Sequence, residues 1–162
     1  MTEKTSFLRS ALPEEGLAEL ARALAPMVAS GGAMHLEGPL GAGKTTFARA
    51  LLQALGVGER VKSPTYTLIE TYVLPALVVH HLDLYRIAAA DELEWLGLRD
   101  LASGPQLWLI EWPEHGAGAI PPADLHVRLS HAGATRDVRL DASSERGRSW
   151  LAHLLQQVRQ DS

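Results

Sequence analysis

The stretch GPLGAGKTT, residues 38–46, constrains this chain more than any other. Gly38, Gly43, Lys44 and Thr45 fit the spacing G-x-x-x-x-G-K-[ST]. A random chain of this composition meets that pattern about once in a few hundred sequences. The flanks narrow it further. AMHLE before it reads as a short strand, and FARALLQAL after it reads as a helix to about Leu55, stopped by Gly56 and Gly58. Glycines at 38, 41 and 43 let the backbone turn with its N–H groups inward, which makes an anion nest. The helix N-terminus adds partial positive charge beneath bound phosphates. Lys44 can reach the β- and γ-phosphates, and the Thr45 hydroxyl can take one position on Mg²⁺. The expected site is therefore a nucleoside triphosphate loop built from Gly38, Pro39, Leu40, Gly41, Ala42, Gly43, Lys44, Thr45 and Thr46, with Mg²⁺ as the ion.

The chain has 162 residues, enough for one domain spanning 1–162 with a sizeable core. It has no cysteine, which excludes a disulfide scaffold, thiolate metal sites and a cysteine nucleophile. No apolar run approaches the roughly 20 residues of a membrane span, and MTEKTSFLRS lacks the apolar segment of a signal peptide. A cytoplasmic protein with no membrane contact is expected. Net charge is −4. Acids are interspersed among Arg136, Arg139, Arg146, Arg148 and Arg159, so these read as a solvated face rather than a nucleic-acid grip.

Strand and helix patterns alternate along the chain. TSFLR reads as a first strand. PEEGLAELARALAPMV is a helix, with Pro13 and acids at its start and Leu17, Leu20, Leu24 and Met27 at helical spacing. YTLIETYV and LVVHHLDLY, joined by the short LPA, read as an antiparallel pair. DELEWLGLRDLA is expected to be helical and QLWLIEW a buried strand. DLHVRLSH and TRDVRLDA form a hairpin through AGA, and ERGRSWLAHLLQQVRQ closes as an amphipathic helix. The pattern implies an α/β fold of the P-loop NTPase type: three layers, with a mixed parallel and antiparallel sheet flanked by helices.

A triphosphate loop needs a second Mg²⁺ anchor at the end of a neighbouring strand. Two acids qualify: Glu111 ends LWLIE and Asp83 ends VVHHLD. Glu111 follows the cleaner apolar run and is assigned to the metal through water. Asp83 then orients or deprotonates the attacking water, with a helix N-cap or salt bridge as its structural alternative. KSPTYT lies where such enzymes sense the γ-phosphate; Ser63 and Thr65 bring hydroxyls and Pro64 stiffens the loop, although an ordinary Ser/Thr turn fits too. Strand alternation sets Trp108, Ile110 and Trp112 on one face, Trp108 in the core and Trp112 at the strand end near the site. His80, His81 and His115 show no metal-ligand spacing and read as core or surface histidines.

The chain contains no asparagine, so the guanine-reading N-K-x-D motif cannot be present and adenine is favoured. A small-molecule kinase is the alternative. Such kinases close an arginine-bearing lid, and WPEHGAGAIPPAD, residues 112–124, holds no arginine or lysine. A non-hydrolysing nucleotide sensor is a third class.

LEGPLGAGKTTFARALLQALG, VKSPTYTLIETY, HHLDLYRI, DELEWLGLRDL and LIEWPEHG occur in that order. Together they resemble the bacterial TsaE family, the small ATPase of tRNA threonylcarbamoyladenosine biosynthesis, over about residues 12–140. The resemblance implies a phosphate loop on residues 38–46, magnesium ligands at Thr45 and Glu111, and catalytically important positions at Lys44, Thr65, Asp83 and Trp112. It further implies nucleotide contacts from Arg136 and Glu14. It implies partners, the TsaD and TsaB subunits, with tRNA met only indirectly through their complex. ATP binding would promote assembly with that pair and hydrolysis would reset it.

Overall fold

A computed structural model describes residues 6–89 and 104–160. The chain runs β1 (Ser6–Leu12), α1 (Glu14–Val28), β2 (Gly32–Glu37), α2 (Lys44–Leu55), β3 (Ile69–Val73), β4 (Val78–Asp83), β5 (Gln106–Glu111), β6 (Leu125–Ala132), β7 (Thr135–Ala142) and α3 (Glu145–Gln160). The expected helix over DELEWLGLRDLA lies outside the described residues.

Each helix has a local cause. α1 begins with Glu14 and Glu15 in its first turn, where acids meet the positive end of the dipole. Its buried residues, Leu17, Leu20, Ala21, Leu24, Ala25 and Val28, recur every three or four positions. Pro26 sits in the last turn, so the N–H it lacks disturbs only the helix end. α2 ends at Gly56, φ 112°, and Val57 N–H closes the turn on Leu52 O at 3.1 Å.

The seven strands form one sheet in the order β1-β7-β6-β2-β5-β4-β3. The pairs β6–β2, β2–β5 and β5–β4 are parallel, and β1–β7, β6–β7 and β3–β4 are antiparallel. Both expected hairpins are present. β3 is shorter than YTLIETYV suggests. Residues 65–67 turn, and Leu68 takes φ 69° with its N–H on Pro64 O at 2.9 Å, so pairing starts only at Ile69.

One sheet face carries Met34, Leu36, Leu107, Leu109, Leu125, Val127, Val138 and Leu140, and packs with all three helices into a single apolar core. On the other face Leu82 and Ile110 cluster with Leu84, Ile87, Trp108, Trp112 and Ile120. Trp108 and Trp112 thus share a side with Ile110, as alternation requires. Both are half-buried; Trp108 lies against the His80 ring at 4.3 Å. β2, β5 and β4 are adjacent and parallel, so their C-terminal ends open on one edge. Open α/β sheets place ligands at such an edge.

Candidate functional site

The edge gathers what the sequence scattered. β2 ends at Glu37, and residues 38–43 turn into α2. Gly38 takes φ 150°, and a Cβ there would lie 2.4 Å from Leu129 O on β6, so the position requires glycine. Gly43 takes φ 105° at the helix start, and no side chain caps the first turn of α2. The helix's leading N–H groups are therefore not claimed by a capping residue. Lys44 is only 5% exposed. Its Nζ donates to Gly38 O at 2.6 Å and Pro39 O at 2.9 Å, so the loop's own carbonyls hold the ammonium under the turn. Burial pushes this ammonium's pKa down, opposed by the charges of Glu111, Glu114 and Asp83.

The carboxylates arrive through strand register. β4 and β5 pair so that Asp83 lies beside Glu111, and Leu36 of β2 flanks Glu111 on the other side. Thr45 Oγ1 donates to Glu111 Oε1 at 3.0 Å. Glu111 is 2% exposed, and its second oxygen, Oε2, accepts from His81 Nε2 at 2.6 Å. Asp83 Oδ1 accepts the Tyr85 N–H at 3.1 Å, an Asx-turn contact rather than the helix N-cap or salt bridge of its structural alternative. Burial pushes the Asp83 carboxyl's pKa up and the Glu111 charge adds to this, against the Tyr85 N–H.

Trp112 follows directly on β5 with φ 57° and ψ 51°. A bulky residue in the left-handed region is strained, and such strain concentrates at functional sites. Its ring lies 4.2 Å from Lys44 Nζ and 5.0 Å from the Tyr85 ring. In the segment 63–68, Thr65 lines the cleft, and its hydroxyl meets that of Ser63 at 2.7 Å.

Lys44, Thr45, Thr46, Thr65, Asp83, Glu111 and Trp112 thus line one cleft of about 410 Å³ with Leu40, Gly41 and Gly43. Pro39 borders it through its carbonyl on Lys44, and Ala42 is buried beneath the loop. Glu14 and Arg136 do not line this cleft. They line a second, of about 200 Å³, that shares Gly41, Gly43 and Thr46 with it. Arg136 reaches the loop directly, its guanidinium donating to Gly41 O at 3.1 Å. A larger groove of about 730 Å³ between α1 and α3 holds Met27, Trp150 and His153 and none of the expected residues.

Two acids and a hydroxyl are hard oxygen donors of the kind Mg²⁺ takes. Among the described residues no cluster of three or more His, Cys, Asp or Glu could hold a metal alone.

A family profile described as "Threonylcarbamoyl adenosine biosynthesis protein TsaE" matches residues 12–138. The chain belongs to the TsaE family. It is 43% identical over 119 residues to the tRNA threonylcarbamoyladenosine biosynthesis protein TsaE of Haemophilus influenzae, covering 74% of this chain and 75% of that one. To the TsaE protein of Bacillus subtilis it is 38% identical over 125 residues, covering 77% of each. A crystal structure of YdiB from Bacillus subtilis superposes with a TM-score of 0.71 at 26% identity, covering 94% of this chain and 95% of that one.

This TsaE-family chain also brings in residues the motifs did not single out. Tyr85 and Arg86 line the cleft from the turn after β4, and the Arg86 guanidinium lies 4.9 Å from the Tyr66 ring. Residues 112–124 hold no arginine or lysine, whereas Arg86 reaches the cleft. His81, read as a core or surface histidine, is buried but spends its Nε2 on Glu111. Strand alternation puts His81 on the same face as Asp83, but its contact with Glu111 depends on the pairing of β4 with β5. Among the described residues no helix is long and apolar enough to cross a membrane.

Proposed function

We propose that this chain is a Mg²⁺-dependent ATPase, one domain over 1–162, that serves tRNA threonylcarbamoyladenosine biosynthesis in the cytoplasm by cycling on and off a TsaD–TsaB pair. The observation that carries the ATPase reading is Lys44, buried beneath residues 38–43 at the uncapped start of α2, with Thr45 bonded to the strand-end acid Glu111. The family supports the pathway, and the resemblance supports the partners.

The loop amides and the α2 N-terminus bind the β- and γ-phosphates, and Lys44 turns from the Gly38 and Pro39 carbonyls to them. Thr45 and Glu111 would hold Mg²⁺, Glu111 through water; the ion would offset charge on the phosphate oxygens. Asp83 sits beside Glu111 with its pKa raised by burial, which suits a group that takes a proton from water. Trp112 covers Lys44 and limits water at the reacting phosphate. Arg136 and Glu14 line the adjoining smaller cleft, where the nucleoside end of ATP would extend. The segment 63–68 orders with the γ-phosphate and relays its presence to the partners.

Phosphate release is the test. The chain alone turns ATP over slowly without any acceptor, and an added TsaD–TsaB pair changes that rate. Phosphoryl transfer to a small metabolite with no free phosphate released would overturn the reading and favour a kinase.

A further inference from the structure

We propose that His81 is a positioning residue: it fixes the Glu111 carboxylate in the orientation that meets Thr45, and so sets how strongly nucleotide binding depends on a divalent cation. The inference rests on the nucleotide reading above and adds a residue to it.

Alternation along β4 sends Val79 and His81 toward the helix-covered face, while His80 and Leu82 point the other way. The β4–β5 register pairs His81 with Leu109, one strand repeat below Glu111. The imidazole therefore comes up beneath the carboxylate from inside the core. It is 1% exposed and lies 2.6 Å from Glu111 Oε2. The other carboxylate oxygen takes the Thr45 hydroxyl proton at 3.0 Å. Glu111 is thus held at both ends, one by a core histidine and one by the residue that opens α2. Thr45 donates its proton in this contact, so its oxygen lone pairs remain for a cation.

The other ring nitrogen fixes the tautomer. His81 Nδ1 is buried and has no hydrogen-bond partner among the described residues. A bare lone pair there is tolerable, whereas a bare N–H would be an unsatisfied buried donor. The proton accordingly sits on Nε2, and the ring donates to Glu111. The adjacent His80 shows what a satisfied core histidine looks like. Its Nδ1 accepts from Thr71 Oγ1 at 2.9 Å and its Nε2 donates to Gln106 Oε1 at 2.6 Å, both away from the cleft. Among the described residues His81 has a single polar contact, and that contact is the carboxylate. Partners one step removed from a metal orient the ligands that touch it.

The test compares the parent with His81→Leu, which removes the donor, and His81→Gln, whose side-chain amide N–H replaces the Nε2–H. ADP is titrated calorimetrically in EDTA and in Mg²⁺, and Mn²⁺ is titrated into the ADP-loaded proteins by electron paramagnetic resonance. The expectation for His81→Leu is unchanged ADP affinity in EDTA, with Mn²⁺ affinity and the Mg²⁺-dependent gain in ADP affinity each lower by about 10- to 100-fold. His81→Gln recovers most of the loss. A His81→Leu protein with parental Mn²⁺ affinity overturns the inference. So does one that loses ADP binding equally in EDTA and Mg²⁺, since that marks a packing role, or a His81→Gln that recovers nothing. A parent that binds no ADP in either condition would instead refute the nucleotide reading and this inference with it.

Discussion

Gly38→Ala and Gly56→Ala separate what a glycine does for the backbone from what it does for the site. Both positions have positive φ, 150° and 112°. At Gly56 an added Cβ meets nothing within 4 Å, so only backbone strain applies, about 1–2 kcal/mol. At Gly38 the Cβ would lie 2.4 Å from Leu129 O, where real contacts stay above 3.0 Å, so something must move by at least 3.0 − 2.4 = 0.6 Å. That oxygen belongs to β6, which β7 holds at Leu129 and β2 holds up to Arg128, so it cannot yield alone. Backbone strain of about 1–3 kcal/mol and overpacking of about 1–3 kcal/mol together give about 2–6 kcal/mol for Gly38→Ala. Urea unfolding followed by circular dichroism measures both variants, with an unchanged slope required for comparison. ADP titration of the same samples should show weakened binding for Gly38→Ala and parental binding for Gly56→Ala. Equal destabilisation of the two, with ADP binding intact in both, would refute the reasoning that the β6 contact shapes the loop.

Asp83→Asn should lose ATP turnover far more than ATP binding, because Asp83 is beside Glu111 and not under the loop; a parental hydrolysis rate would leave it a turn-forming residue only. Glu111→Ala should abolish the Mg²⁺ dependence of turnover while nucleotide binding in EDTA persists through the loop amides, and unchanged Mg²⁺ dependence would contradict its assignment. Burial lowers the pKa of His80 and of His35 below the ordinary 6.5. The unfolded chain then protonates first, so their stability contribution is complete above about 6.5 and is lost as pH falls from there through the lowered values. Urea midpoints should drop across that window, and His80→Gln should shrink the drop; a midpoint independent of pH there would contradict the sign.

The glycine loop and the order of strands and helices were legible because each depends on local chemistry: 3.6- and 2-residue periodicity, and a turn only glycine can make. The proposed division of labour between Glu111 and Asp83 is harder to read, because each ends an apolar strand. Their side-by-side register and the Thr45 contact on Glu111 become visible only in the folded sheet. YTLIETYV reads as a longer strand than β3 because nothing in the sequence announces that Leu68 adopts φ 69°. The role of His81 is not legible in the sequence, because its spacing matches no metal-ligand pattern. Its partner is 30 residues away in sequence and adjacent only through the sheet. Arg136 and Glu14 rest on the resemblance alone; the 200 Å³ cleft that joins them to Gly41 is lined jointly by α1, the phosphate loop and the β6–β7 hairpin.

ATP titrated calorimetrically into the parent and into Lys44→Ala, with Mg²⁺ present, tests the nucleotide site most directly. The ammonium is already desolvated under the loop, so little further desolvation opposes its turn to phosphate. One charge pair at about 4 Å in a partly screened site contributes about 4 kcal/mol. At 1.4 kcal/mol per tenfold in affinity, and with part of that offset by the carbonyl contacts given up, a loss of about a hundredfold or more is expected. The melting temperature should change little, since removing a buried charge compensates for the lost hydrogen bonds. Saturable ATP binding by the parent that nearly disappears in a folded Lys44→Ala is the predicted result. Equal ATP affinity in the two proteins, or no binding by either, would contradict a nucleotide site in residues 38–46.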